Sequence, residues 1–251
     1  MADKAKRILK KAAAVVFWIA LWQIISMLIS RELILPSPVS TVSRLCELVV
    51  TADYWESVAL SMIRIVAGFI IGCAAGSLLA LVCALSETAA ELFSPLLSVI
   101  RSTPVASFIL IAVFWIGSPR VPSFISSLIV LPIVCDSVLA GMKNPDRELV
   151  EVATVYGFST AKRVRLILLP SAARSFLASS STALGIAWKA GIAAEVITTT
   201  KLSIGKSLNE AKIYLETPSL FAWTLTVIIL SIIAGALFNR ASKRLLRALH
   251  L

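Results

Sequence analysis

Six long apolar runs, near residues 12–30, 58–84, 95–117, 121–142, 171–198 and 219–239, leave this chain few folds to choose from. A bilayer core about 30 Å thick takes roughly 20 apolar residues of helix, and each run meets that length. Lipid offers no partner to a backbone N–H or C=O, so a spanning chain is helical or a closed barrel. The runs are continuous and do not alternate apolar with polar. They therefore predict an all-α, polytopic membrane helical bundle of about six transmembrane helices. Composition agrees: 58% of the 251 residues are hydrophobic and 15% charged, with a mean hydropathy of +0.91. Soluble domains carry far more charge. No linker, low-complexity tract or soluble domain interrupts the chain, so residues 1–251 read as a single transmembrane domain.

A net charge of +10 raises the question of nucleic acid, and the placement of the charge answers it. With the N-terminus inside, Lys4, Lys6, Arg7, Lys10, Lys11, the 143–174 loop and the C-terminal tail share the cytoplasmic side. Those regions hold 15 of the 24 Lys and Arg residues. Arg31, Arg44, Arg120, Lys201, Lys206 and Lys212 fall outside. The bias is the positive-inside signal of an N-in, C-in topology. No basic surface is interleaved with aromatics, so no nucleic-acid partner is expected. The first apolar run extends to Ser30 without a small-residue cleavage site and reads as a retained anchor. Cys46, Cys73, Cys83 and Cys135 have neither metal nor redox spacing, and the last three lie in spans, where packing is the expectation.

Local signals place further elements. Ser37 can cap a helix that Pro38 opens, and Val39, Val42, Leu45 and Val49 follow at helical spacing, which predicts a surface helix. Gly68, Gly72 and Gly76 put a flat strip on one face of the second span, suited to close packing within the subunit or between two subunits. Pro95 and the run Arg101-Ser-Thr-Pro104 predict a kinked third span, tolerated where it faces protein or a cavity.

The segment 143–170 is polar between two apolar runs. Asn144, Pro145 and Asp146 read as cap, first helical position and dipole-facing acid of a short helix. Leu149, Ala153 and Tyr156 fall on one face, and Gly157 can end the helix in the left-handed region. Ser159 can cap a second helix bearing Lys162, Arg163 and Arg165, before Pro170 opens the fifth span. The segment also carries Glu151-x-Ala153, three residues, Gly157, nine residues, Ile167-x-Leu169-Pro170. This resembles the EAA loop of the membrane permeases of ATP-binding-cassette (ABC) importers, with Val152 in place of the second-position alanine. The resemblance extends to the nitrate/sulfonate/taurine-like branch through Leu35-Pro36-Ser37-Pro38, Ser61-x-x-Arg64-x-x-x-Gly68-Phe69, Arg101-x-x-Pro104-x-Ala106, Ala187-Trp188, Ala194-Glu195 and Ile204-Gly205. Ser203 stands where that branch more usually has a glycine.

The resemblance implies a type I ABC importer permease in a bacterial cytoplasmic (inner) membrane. Its partners would be a cytoplasmic ABC ATPase dimer, an extracytoplasmic solute-binding protein and a second permease subunit, the same chain or a close relative. The loop would seat in the ATPase as a coupling helix, with Gly157 setting the turn, Glu151 orienting the loop and Ala153 permitting close packing. This chain would bind no cofactor; ATP and Mg2+ would belong to the ATPase.

Arg64, Asp136, Lys189 and Glu195 lie inside predicted spans, where a charge is a functional candidate by default. Together with Arg101 and Pro104 they form the candidate pathway or gate set. Snorkelling or structural pairing competes with that role. Lys189 and Glu195 are six residues apart and do not share a helix face. An Arg64–Glu195 pair near the outer gate is expected, with charge reversal at both positions restoring transport; Asp136 shows no partner. Gly205-Lys206-Ser207 imitates the end of a phosphate-binding loop but has Thr200 where its first glycine belongs. The only histidine is His250, so no metal site or catalytic triad is indicated. A stand-alone secondary transporter, a membrane enzyme and the coupling subunit of a vitamin importer remain rivals; none explains the loop as well.

Overall fold

The computed structural model describes residues 2–145 and 147–248. The helices are α1 (Ala2–Ile29), α2 (Pro38–Val49), α3 (Ala52–Leu85), α4 (Glu87–Ser102), α5 (Val105–Ile116), α6 (Val121–Lys143), α7 (Arg147–Val155), α8 (Thr160–Arg163), α9 (Leu169–Thr198), α10 (Ile204–Ile213) and α11 (Thr217–Ala248). No strand occurs among the described residues.

The centre of the fold is a block of three helices, α3, α6 and α9. Along α3 the glycine strip meets α6 in ascending order: Gly68 against Ser123, Gly72 against Ser127, Gly76 against Leu131. A Cβ on Gly72 would lie 2.7 Å from the Ser127 carbonyl oxygen, and one on Gly76 2.6 Å from that of Leu131. The strip thus serves packing inside the subunit, and α3 and α6 run parallel. Helix α9 runs antiparallel to both: Gly191 abuts Ile65 and Ser126, whereas Gly141 abuts Ala172 and Ser175. Ser126 Oγ donates to the Ala187 carbonyl (3.2 Å) and Ser171 Oγ to that of Gly141 (2.7 Å). Small residues and hydroxyls take the place of large side chains where backbones approach.

Among the described residues, four helices are long and apolar enough to cross a membrane: α1 from Ala12, α3, α6 and α11 to Arg247. The run at 95–117 folds instead as a bent pair, α4 and α5, turned by 104°. The sequence predicts a kink; the structure makes it a full break, with Thr103 and Pro104 both in extended conformations. Helix α9 is long enough at 30 residues, but its serines and its three charges, Arg174, Lys189 and Glu195, lower its hydropathy. Of the three, Glu195 is buried within the bundle, whereas Arg174 and Lys189 are exposed. Lipid or partner faces look different: on α1, Val15, Val16, Phe17 and Trp18 are all exposed.

The surface helix α2 forms as its signals predict. Ser37 Oγ accepts the Ser40 N–H at 3.0 Å, and Pro38 sits in the first turn. Arg44 ties α2 to α11, donating from Nε to Ser219 Oγ at 2.8 Å, and Tyr54 stacks on Trp223 with ring centroids 4.9 Å apart. Cys73, Cys83 and Cys135 are buried, Cys46 is exposed, and all four are free thiols.

Candidate functional site

Most of the predicted site residues divide between the two ends of the three-helix block, with Arg101, Pro104 and Asp136 between them. At one end stand α2, α10 and the C-terminus of α9; at the other stand α7, α8 and the N-terminus of α9.

At the α10 end, Glu195 on α9 is fully buried. Its Oε2 accepts from Ser61 Oγ at 2.7 Å and from the Gly205 backbone N–H at 3.2 Å. Its Oε1 lies 3.5 Å from Arg64 Nη1. The expected Arg64–Glu195 pair is therefore present, though it is one part of a larger knot. Arg64 also donates to the carbonyls of Leu202 (3.0 Å) and Lys201 (3.2 Å). Ser61 Oγ accepts the Ile204 N–H (3.0 Å), and Ser203 Oγ that of Lys206 (3.0 Å). The free N–H groups at the start of α10 are thus taken by side chains from α3, α9 and Ser203, with a carboxylate at the positive end of the helix. Gly205 is required here, since a Cβ on it would strike the Glu195 Cβ and the Val196 nitrogen. The same bonds dispose of the phosphate-loop lookalike: the N–H groups of Gly205 and Lys206 already have partners. Sequence reasoning named Arg64 and Glu195 for their charge and passed over the role of Ser61, Ser203 and Gly205. The signal available was their recurrence inside the segments Ser61-x-x-Arg64 and Ile204-Gly205. Lys189 is exposed and makes no ion pair among the described residues, consistent with its separation from Glu195.

Arg101 and Asp136 are brought together, which corrects the reading of Asp136 as unpartnered. Arg101 Nη1 donates to Asp136 Oδ2, and both side chains are 45% exposed. Arg101 lies in the last turn of α4 just before the break, and Pro104 caps the start of α5; Asp136 lies on α6. The two are 35 residues apart in sequence, which is why spacing could not pair them.

At the other end, α7 closes in a Schellman turn. The Phe158 N–H bonds the Ala153 carbonyl at 2.9 Å and the Gly157 N–H that of Thr154 at 3.2 Å. Gly157 has φ +60°, and a Cβ placed on it would meet nothing within 4 Å, so backbone conformation and not space demands glycine there. Ala153 is fully buried, whereas Leu149 and Tyr156, expected on its face, are 50% and 75% exposed with Val152 and Val155 beside them. The helix therefore turns its alanine inward and leaves an apolar ridge bare. Glu151 is exposed and has no ion pair among the described residues. The start of α7 differs from expectation: Asn144 ends α6, its Nδ2 donating to the Ala140 carbonyl at 3.1 Å. Asp146 lies outside the described residues.

Ser159 Oγ accepts the Lys162 N–H at 3.4 Å, as a cap should. The second helix does not stop before the fifth span, however. A π-helical turn, Val164–Leu168, joins α8 to α9, with the Leu169 N–H bonded to the Val164 carbonyl. Pro170 has no N–H to continue the ordinary pattern, and a wider turn accommodates the change. Ile167 is buried within it while Leu169 is half-exposed.

Residues 68–247 match the family described as binding-protein-dependent transport system inner membrane component. Among curated proteins, the putative aliphatic sulfonates transport permease of Escherichia coli is 30% identical over 93% of this chain and 87% of its own length. The corresponding Bacillus subtilis protein is 24% identical over 91% and 83%, and the E. coli taurine transport permease 25% identical over 89% and 83%. Among solved structures, an amino acid ABC transporter matches 78% of this chain and 93% of its own, with TM-score 0.61 and 17% identity. The inward-facing methionine ABC transporter matches 77% and 93%, with TM-score 0.55 and 20% identity. These likenesses carry the fold. With the family spanning most of the chain and the sulfonate permeases nearly all of it, the protein belongs to the binding-protein-dependent inner membrane permeases, and it is a translocation subunit of an ABC importer and not an enzyme.

Proposed function

We propose that this permease carries a small sulfonate-class anion inward, with the α7 end of the bundle in the cytoplasm and the α10 end outside. The sulfonate and taurine permeases among its relatives support the substrate class, and the 15 basic residues of the tails and the 143–174 loop support the orientation. Residues 143–170 form the coupling loop, with Glu151, Ala153, Gly157, Ile167, Leu169 and Pro170 as its frame. The observation that carries this reading is the bare ridge of Leu149, Val152, Val155 and Tyr156 on a helix held rigid by the Gly157 turn. An apolar face at the wet end of a membrane protein is a docking surface, and a cytoplasmic ATPase is the partner that the family requires. ATP and Mg2+ are bound by that ATPase. Two copies of the permease flank the pathway, and a solute-binding protein delivers the anion at the α10 end, where the Arg64–Glu195 knot closes the outer gate.

The test is co-purification from the source cells. Wild-type permease in detergent should recover the ATPase, and a Val155→Asp/Tyr156→Ser variant should lose it while eluting as the same monodisperse species. Retention of the ATPase by that variant would refute the docking role. Reconstituted wild type that transports ethanesulfonate without ATP would refute the importer assignment itself.

A further inference from the structure

We propose that Arg101 and Asp136 form an exchangeable anion site in the translocation path: the substrate's sulfonate takes the place of the Asp136 carboxylate on the Arg101 guanidinium. This rests on the sulfonate reading above and goes beyond it by assigning the group that meets the anion inside the membrane.

Depth comes first. Asp136 lies on α6, roughly 22 Å along the helix from its Val121 end and roughly 10 Å from its Lys143 end at 1.5 Å per residue. That places the pair within the span and away from the polar headgroups. Exposure is the second point. Both side chains are 45% exposed, and a charge facing hydrocarbon is costly, so such groups face a bundle interior or a water-filled cavity. The third point is unsatisfied capacity. Arg101 spends Nε on the Leu97 carbonyl (3.2 Å) and Nη1 on Asp136 Oδ2. The rest of its five donors have no partner among the described residues, and in lipid they would be intolerable.

The surroundings agree. Next to Arg101 the chain exposes Ser102, Pro104, Ala106 and Ser107, a small and partly polar strip unlike the bulky apolar face of α1. It runs through the 104° break between α4 and α5, where the chain departs from a plain spanning helix. A guanidinium with a free edge matches a tetrahedral oxyanion such as a sulfonate. Asp136 holds Arg101 when no substrate is present, so the empty site does not carry a bare guanidinium, and the displaced carboxylate, left without a partner once the anion is bound, competes for Arg101. Competition of that kind keeps binding weak enough for release.

The experiment uses the full permease in its assembled importer, in a Cys46→Ser background that removes the exposed native thiol. Ala106→Cys is labelled with two methanethiosulfonate reagents, one bearing an ethylsulfonate and one an ethyltrimethylammonium. Rates are divided by those of free cysteine. Asp136→Asn is added so that the guanidinium stands uncompensated; the sulfonate reagent should then be favoured by about tenfold, as expected of one nearby positive charge in a partly screened site. Arg101→Gln should abolish the preference, Arg101→Lys should keep most of it, and excess ethanesulfonate should slow labelling only when a cation occupies position 101. Failure of either reagent to label in both nucleotide-free and ATP-bound states would overturn the proposal, because the face would then be dry. So would a preference that survives Arg101→Gln. ATPase recovery is followed in the same samples. If the ATPase is retained but labelling is blind to charge, the anion site alone fails; if charge-selective labelling appears without an ATPase, the importer reading fails.

Discussion

Exchanging Arg64 and Glu195 separates a simple ion pair from a helix cap. Were opposite charge the whole interaction, the double variant Arg64→Glu/Glu195→Arg would regain what either single change loses. The structure gives Glu195 a second task that arginine cannot perform. Its Oε2 accepts the Gly205 N–H at 3.2 Å and the Ser61 hydroxyl at 2.7 Å, and arginine has donors only. The hydroxyl can turn away, but the Gly205 N–H is fixed by the start of α10. Leaving it unpaired costs about 1–3 kcal/mol. Forcing a longer side chain into a fully buried position beside Gly205 costs about 1–3 kcal/mol more. Glu195→Gln, in contrast, keeps an acceptor for Gly205 and Ser61. It loses the charge facing Arg64 at 3.5 Å, while Arg64 keeps the Leu202 and Lys201 carbonyls. That loss is about 1 kcal/mol.

For a chain of this size 1 kcal/mol moves the midpoint by about 2–4 °C. Heating detergent-solubilised protein and measuring the surviving monodisperse peak should therefore rank the variants. Wild type should come first and Glu195→Gln a few degrees below it. The exchanged pair should fall lowest, with transport unrestored. An exchanged pair as stable as Glu195→Gln, or one that transports like wild type, would show that charge alone matters and that the cap does not.

Four further substitutions, at three positions, probe other parts of the structure. Gly157→Asn should leave coupling close to wild type, because asparagine tolerates φ +60°. Gly157→Val, strained by at least about 1–2 kcal/mol, should lower ATPase co-purification and transport together, although the space around residue 157 is open. Gly72→Ala places a methyl 2.7 Å from the Ser127 carbonyl and should lower stability by about 1–3 kcal/mol, read as a fall in the thermal midpoint with the oligomeric state unchanged. Arg44→Ala removes partly exposed pairs with Glu47 and Glu216 and should cost about 1 kcal/mol or less, read in the same thermal assay.

What the sequence disclosed was local. Ser37 with Pro38, Gly157 with its neighbours, and the glycine strip of α3 each act within a turn or along one helix face, so spacing reveals them. Charge disclosed the Arg64–Glu195 pair because few ionised groups lie in the spans and two of them sit near the same end. Three features were not legible for physical reasons. The Arg101–Asp136 contact depends on how far α4 tilts before the break, and Pro104 announces a bend without its angle. The start of α7 was misplaced because Asn144 can serve the end of one helix as readily as the start of the next, and α6 runs on to Lys143. The π turn before Pro170 was hidden because the proline marks a missing N–H without saying whether the helix stops or widens.

Helix α9 joins the two ends of the candidate machinery, and its packing decides how they can communicate. It leaves the proposed coupling loop through the π turn, runs 30 residues or about 45 Å, and delivers Glu195 to the start of α10. Along that length it meets α6 at Gly141 and α3 at Ile65 with backbone-close contacts. Close-packed interfaces of this kind resist compression and transmit displacement. On the proposed coupling role, a push on residues 160–168 would be passed along α9 to the Arg64–Glu195 knot through these contacts with α6 and α3. The relative motion that transport requires must then fall where packing is loose. The break at Thr103–Pro104 is such a place, with small exposed residues on both sides and the half-exposed Arg101–Asp136 pair at its edge. The rigid block would carry the signal from the ATPase, and the elbow beside it would change what the anion meets.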